Sequence, residues 1–264
     1  MTRALSSEWL KLQRRGMYIG LALMALLGGG VSTLLTLVTA AQAAGLRGDR
    51  GPGLRQILTL AALRGPNGLA SLVAGGASLL GVIALVMYAM SFASEYSQGT
   101  IRNLLVREPH RLRLLFGKLA GSALFVSIGV VGAGVVSVIV AYAVAPSQNI
   151  GTSTWSFTAV GAALGRILLV TLGWGVLGAV LALIVRTPAP AVGAGVVYVL
   201  LVDPIVNAAW STGGRWLPGH LLQAVAQGGT TDASLTRASI VVTLYMAVIL
   251  AVGAAQFVRR EVTA

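Results

Sequence analysis

Cysteine is absent from these 264 residues, which excludes disulfides, thiolate nucleophiles and Cys-ligated metals. Histidine occurs twice, and His110 and His220 fall on opposite sides of the membrane in the topology argued below, so they share no metal. Charged residues make up 10% of the chain, where a soluble domain carries about 25%. Acid is scarcer still, with seven Asp and Glu against nineteen Lys and Arg. The sequence holds no Gly-x-x-x-x-Gly-Lys-Ser/Thr loop, no His-Glu-x-x-His pair, no serine elbow and no facing carboxylates. The chain is therefore expected not to be an enzyme, and it is expected to carry no cofactor and no metal. Lysine is nearly missing beside arginine, a usage that fits a GC-rich bacterial genome.

The hydrophobic fraction is 56%, gathered into six runs at 17–40, 69–93, 119–145, 167–185, 189–209 and 239–258. A membrane-spanning helix needs about 20 apolar residues, and each run qualifies. The expected fold is an all-α integral membrane protein, one transmembrane domain over 1–264, because the segments between the runs leave no soluble domain. The first run is too long for a signal-peptide core and no small-x-small site ends it, so cleavage is not expected. With both termini placed in the cytoplasm, the inner side carries Arg3, Lys11, Arg14, Arg15, Arg102, Arg107, Arg111, Arg113, Lys118, Arg186, Arg259 and Arg260. The outer side carries Arg47, Arg50, Arg55, Arg64, Arg215 and Arg237, with Arg166 at a boundary. The bias favours that orientation. The net charge of +12 is scattered over these loops, so nucleic acid is not an expected partner.

Residues 3–15 read as an amphipathic helix. Leu5, Trp9 and Leu12 share one face, while Glu8, Lys11, Arg14 and Arg15 lie on the other. Such a helix lies in the membrane interface with Trp9 at headgroup depth, either as an anchor for the first span or as part of a coupling device. In the second outer connection, 146–166, Trp155 and Phe157 read as interfacial anchors. Spans four and five are joined by Arg186-Thr-Pro-Ala-Pro, a tight cytoplasmic hairpin. The last outer loop, 210–236, holds Trp210, Trp216, a Pro-Gly turn and a short amphipathic stretch, read as a re-entrant helix dipping into the outer leaflet. Small-residue faces at Gly161/Gly165, at Gly117/Gly121 and around Gly129, Gly132 and Gly134 serve either a dimer seam or packing within one bundle.

The island between spans two and three, 94–118, is polar and basic: SEYSQGTIRNLLVREPHRLRLLFGK. Glu95 ends span two, Gly99 lets the chain turn and Thr100 is placed to cap a following helix. That helix has an apolar face of Ile101, Leu104 and Leu105 and a charged one of Arg102 and Arg107. Pro109 stops it, and Arg111, Arg113 and Lys118 lead into span three near the headgroups. A short helix apolar on one side and basic on the other suits docking to a soluble partner on the cytoplasmic face.

This arrangement resembles the permease of the ABC type-2 exporter family. Its Glu, Gly-Thr, Leu-rich turn, Pro, Arg and Gly-Lys match Glu95, Gly99-Thr100, Leu104-Leu105, Pro109, Arg111 and Gly117-Lys118 here. Glu8-Trp9-Leu10-Lys11-Leu12 is similar to the family's interfacial elbow helix, and Trp216-Leu217-Pro218 to its outer re-entrant segment. The resemblance implies a cytoplasmic coupling helix at 94–118 and an elbow at 1–16. It implies a dimer with a second permease copy, identical or different, and two separate ATP-binding cassette subunits holding ATP and Mg. It also implies a bacterial inner (plasma) membrane location and export. The nearest style is that of small permeases for bacitracin-like or lantibiotic-like peptides and drugs, so the substrate is expected to be a hydrophobic peptide, drug or lipid-like molecule.

Asp203 is the one acidic residue clearly inside a span. It pairs with Arg166, caps a helix break at Pro204, or faces a substrate pathway. Tyr198 and Asn207 of span five and Met87 and Met90 of span two are candidate lining residues. Two rivals share the topology: a membrane scaffold that needs no ATPase, and an ion-coupled secondary carrier, disfavoured by a single intramembrane carboxylate and no inverted repeat.

Overall fold

The computed structural model describes residues 15–45, 60–100, 106, 110–230 and 232–259. Six helices are long and apolar enough to cross a membrane: Tyr18–Gln42, Gly68–Ser97, Arg111–Gln148, Phe157–Val185, Pro188–Ala209 and Leu235–Arg259. They are called spans one to six. Among the described residues the fold is all-helical, as lipid demands, because a helix satisfies its own backbone hydrogen bonds. The chain is a multi-pass membrane protein.

Several helices begin earlier than hydropathy suggests. Span three starts at Arg111 rather than 119, and span four at Phe157 rather than 167. A run of apolar residues ends at a charge, but backbone hydrogen bonding does not, and long cationic side chains reach away from the axis. Arg166 thus lies within the span-four helix rather than at its boundary.

Spans two and four form the centre of the bundle. Of their apolar windows 56% and 61% are buried, against 11% for span five. Their contact depends on close backbone approach. A Cβ on Gly175 would sit 2.7 Å from the Tyr88 ring, and one on Gly178 would strike the Leu85 carbonyl. Tyr88 and Leu85 are accordingly buried. Span one docks on span three, where Gly129 meets Met24 and the Thr33 and Ser137 hydroxyls share a buried hydrogen bond of 2.6 Å. By contrast, Gly161 and Gly165 face open space. The Gly129 face is therefore used inside the bundle and the Gly161 face is not.

Two spans widen into π-helix, at Met24–Val31 and Tyr198–Val202. The second lies just ahead of Pro204. Proline offers no N–H and its ring crowds the carbonyl four residues back, so a wider turn accommodates it. The Asp203 N–H bonds the Tyr198 carbonyl and the helix continues through Asp203–Ala209. Asp203 therefore does not cap a break.

Trp155 is not an interfacial anchor. It is buried, and its indole N–H donates to the Leu63 carbonyl at 2.9 Å, tying the loop before span four to the short Leu60–Leu63 helix. Phe157 does face outward, 64% exposed and stacked on Tyr142. In the loop after span five, the Pro218–Gln227 helix buries Leu221, Leu222 and Val225 against spans four and six. Irregular chain beside it is thus supported by protein.

Candidate functional site

An ion pair joins spans two and three at the end of the bundle where span two finishes and span three begins. Lys118 Nζ lies 2.6 Å from Glu95 Oε2, and their side chains are 6% and 16% exposed. The same ammonium donates to the Ser91 carbonyl at 2.6 Å and sits 4.7 Å from the centre of the Phe92 ring. Lysine is almost never buried unless paired, and here a carboxylate, a carbonyl and an aromatic face share its charge. Lys118 is therefore turned inward rather than exposed on the surface. It sits one turn and more inside span three, pointing into the bundle.

Other spans close on this pair. Arg186, in left-handed conformation (φ 62°) at the end of span four, places its guanidinium 5.5 Å from the Tyr96 ring. Arg111 donates to the Phe257 and Val258 carbonyls at 3.3 and 3.2 Å. Those carbonyls belong to the last turn of span six, where unpaired backbone acceptors and the negative dipole end attract a cation. Phe92, Glu95, Tyr96, Leu114, Leu115, Lys118, Leu183 and Phe257 line a narrow crevice of about 20 Å³. Spans two, three, four and six are thereby linked at one end by charge and aromatic contact.

Beyond Glu95 the chain turns as expected at Gly99, whose φ is +65°. The Thr100 hydroxyl donates back to the Glu95 carbonyl at 3.3 Å, and helix resumes at Thr100 after the turn. Arg102, Leu104, Leu105, Arg107 and Pro109 lie outside the described residues, as do Glu8, Trp9, Lys11 and Leu12.

A second polar cluster lies at the opposite end. The Asp203 carboxylate packs beside the Tyr198 phenol and against the Gly219 backbone, where a Cβ would come within 2.5 Å of it. Asn207 Nδ2 is 3.4 Å from His220 Nδ1. Asp203 Oδ1 and His220 Nε2 are buried without a hydrogen-bond partner. No ion pair joins Asp203 to Arg166. Arg166 instead lies by Gly228, at the other end of the Pro218–Gln227 helix. Spans five and four thus set an anion at the start of that helix and a cation at its finish, the arrangement its dipole favours.

Tyr198, Asp203 and Asn207 are brought together around Gly219 and His220. Met87 and Met90 are not on that side of span two. A helix turns about 100° per residue, and the Tyr88 face meets span four. Met87 packs beside Gly20 of span one, and Met90 is 52% exposed. Sequence reading missed Phe92, Tyr96 and Phe257 as partners of the charged residues. The aromatic spacing Phe92 to Tyr96, one helical turn ending at the polar island, was the available signal.

A family model for "Protein of unknown function (DUF2705)" matches residues 68–263, from span two through the end of span six. No protein with a curated description matches the chain. Both polar clusters fall within the matched region, and on that match the chain belongs to the DUF2705 family.

Proposed function

We propose that this chain is the membrane permease subunit of an ATP-driven exporter of the ABC type-2 kind. The observation that carries the reading is the buried Glu95–Lys118 pair, which binds both ends of the polar island to the bundle core. A soluble partner pulling on residues 97–110 would move spans two and three together. Through Arg111 it would also move span six. Residues 94–118 act as the coupling segment in this reading, with Arg102 and Arg107 meeting the partner, and residues 1–16 act as the elbow. The island lies in the cytoplasm and both termini with it, in a bacterial inner membrane. The 210–236 loop is the outer re-entrant segment.

Two ATP-binding subunits dock below, holding ATP and Mg, and this chain hydrolyses nothing. Binding of ATP closes them and rocks the bundle between two states, which requires ATP to bind those states unequally. A second permease copy completes the pathway. Span five, 11% buried with Leu200, Leu201 and Ile205 facing outward, offers the surface for it. The substrate is an apolar peptide, drug or lipid-like molecule.

The test is a mild-detergent pull-down of the tagged chain from its native membranes. A soluble ATP-binding subunit should be recovered in about equal amount and lost when residues 101–109 are altered. Recovery of the chain with membrane partners alone would sink the proposal. One observation favours a second reading, an ion-coupled carrier: the partnerless Asp203 Oδ1. Transport that persists without ATP and disappears in Asp203→Asn would select it.

A further inference from the structure

The far end of span six carries a cavity that neither polar cluster uses. It measures about 120 Å³ and is lined by Thr212, Arg215, Trp216, Leu221, Asp232, Ala233 and Arg237. That is room for about four waters at their liquid volume, and so for a small polar group. Two arginines face one carboxylate, so the lining is net positive. Asp232 is 3.6 Å from Arg215, an exposed and weakly held pair. Arg237 has no carboxylate at ion-pair distance among the described residues. Its guanidinium stacks 4.6 Å from the centre of the Trp216 ring, which orients its donors while leaving its charge unneutralised.

The surroundings fix the depth of the cavity. Trp210 and Trp216 are 64% and 47% exposed at the end of span five and just after it, where indoles mark the headgroup level. Below Arg237, on the same helical face, run Ile240, Leu244, Val248 and Val252, each at least half exposed. The spacing of three, four, four and four keeps them in one stripe. Fifteen residues at 1.5 Å each extend it about 22 Å, longer than one leaflet's hydrocarbon of about 15 Å. A cationic head above an uncovered apolar stripe has the shape of one ligand class.

We propose that Arg237 and Arg215, with Trp216, form a binding site for an anionic phospholipid. Its phosphodiester enters the cavity and an acyl chain lies along Ile240, Leu244 and Val248. The guanidiniums suit phosphate oxygens, which they bind in bidentate fashion. This site stands apart from the permease reading and survives its failure.

The full-length chain, reconstituted in nanodiscs of equal dioleoylphosphatidylglycerol and dioleoylphosphatidylcholine, is released into native mass spectrometry and its retained lipids are counted. Phosphatidylglycerol should be retained in preference. Each of Arg237→Gln and Arg215→Gln should lower that preference about fivefold, the value of about 1 kcal/mol per basic residue at a charged surface. Asp232→Asn, at an exposed position where folding is not at stake, should raise it. Arg64→Gln, at the same end but remote from the cavity, should leave it unchanged. Equal retention of the two lipids overturns the proposal, as does a preference that Asp232→Asn and the arginine variants leave unmoved. Displacement of the lipid by millimolar inorganic phosphate would assign the site to a free anion instead, and the lipid assignment would fall.

Discussion

Lys118 is the residue with most at stake in this bundle. It is one of the least exposed charged groups described, and its stability rests on Glu95, the Ser91 carbonyl and the Phe92 ring together. Removing one partner of a buried pair leaves the other charge uncompensated, at about 3–5 kcal/mol. Lys118→Met should therefore lower the unfolding midpoint in detergent sharply. The double variant Lys118→Met with Glu95→Leu should recover most of the loss, because no buried charge remains. If single and double variants melt alike, the pair does not hold this end. A smaller effect is expected at Trp155. Trp155→Phe keeps the ring but leaves the Leu63 carbonyl without its donor, at about 1–3 kcal/mol, read from the same melting curves.

Spans two and four owe their closeness to missing side chains. Gly178→Ala would drive a methyl into the Leu85 backbone, which has little freedom to retreat. Overpacking of this sort costs about 1–3 kcal/mol. Gly161→Ala meets nothing within 4 Å and should shift the melting midpoint of the isolated chain by less than about 0.5 kcal/mol. The contrast separates glycines used in packing from those on an open face. It was not legible beforehand, since each of the three glycine groups reads from sequence as a small-residue face. Which of them meets a neighbour depends on how each helix is rotated. Span three is apolar nearly all round, so its composition marks no preferred face.

At the scale of the whole molecule, the permease reading makes two demands. Arg102→Glu with Arg107→Glu should abolish ATP-driven transport while the melting midpoint stays put, since neither residue belongs to the Glu95–Lys118 clamp. Full activity in that variant would remove the docking role from the island. The absence of cysteine permits a second experiment without background. A single cysteine at Ile205, 62% exposed on span five, should cross-link two copies in membranes. A cysteine at Val131, 56% exposed on span three, should not. Cross-linking at both positions or at neither would rule out span five as the specific seam.

The sequence alone determined six membrane-crossing helices and the polar island between the second and third. The reason is solvent: in lipid a backbone must bond to itself, so long apolar runs have one outcome. Tertiary structure decided the partners. Glu95 and Lys118 stand 23 positions apart with a turn between them, and nothing local makes them meet. Packing of spans two and three does. Asp203 and Arg166 looked like each other's counterion, yet they sit at opposite ends of the Pro218–Gln227 helix, because that helix occupies the space between them. Hydropathy measures whether a segment enters the membrane. It carries no angle about the helix axis, and that angle decides which charge finds which.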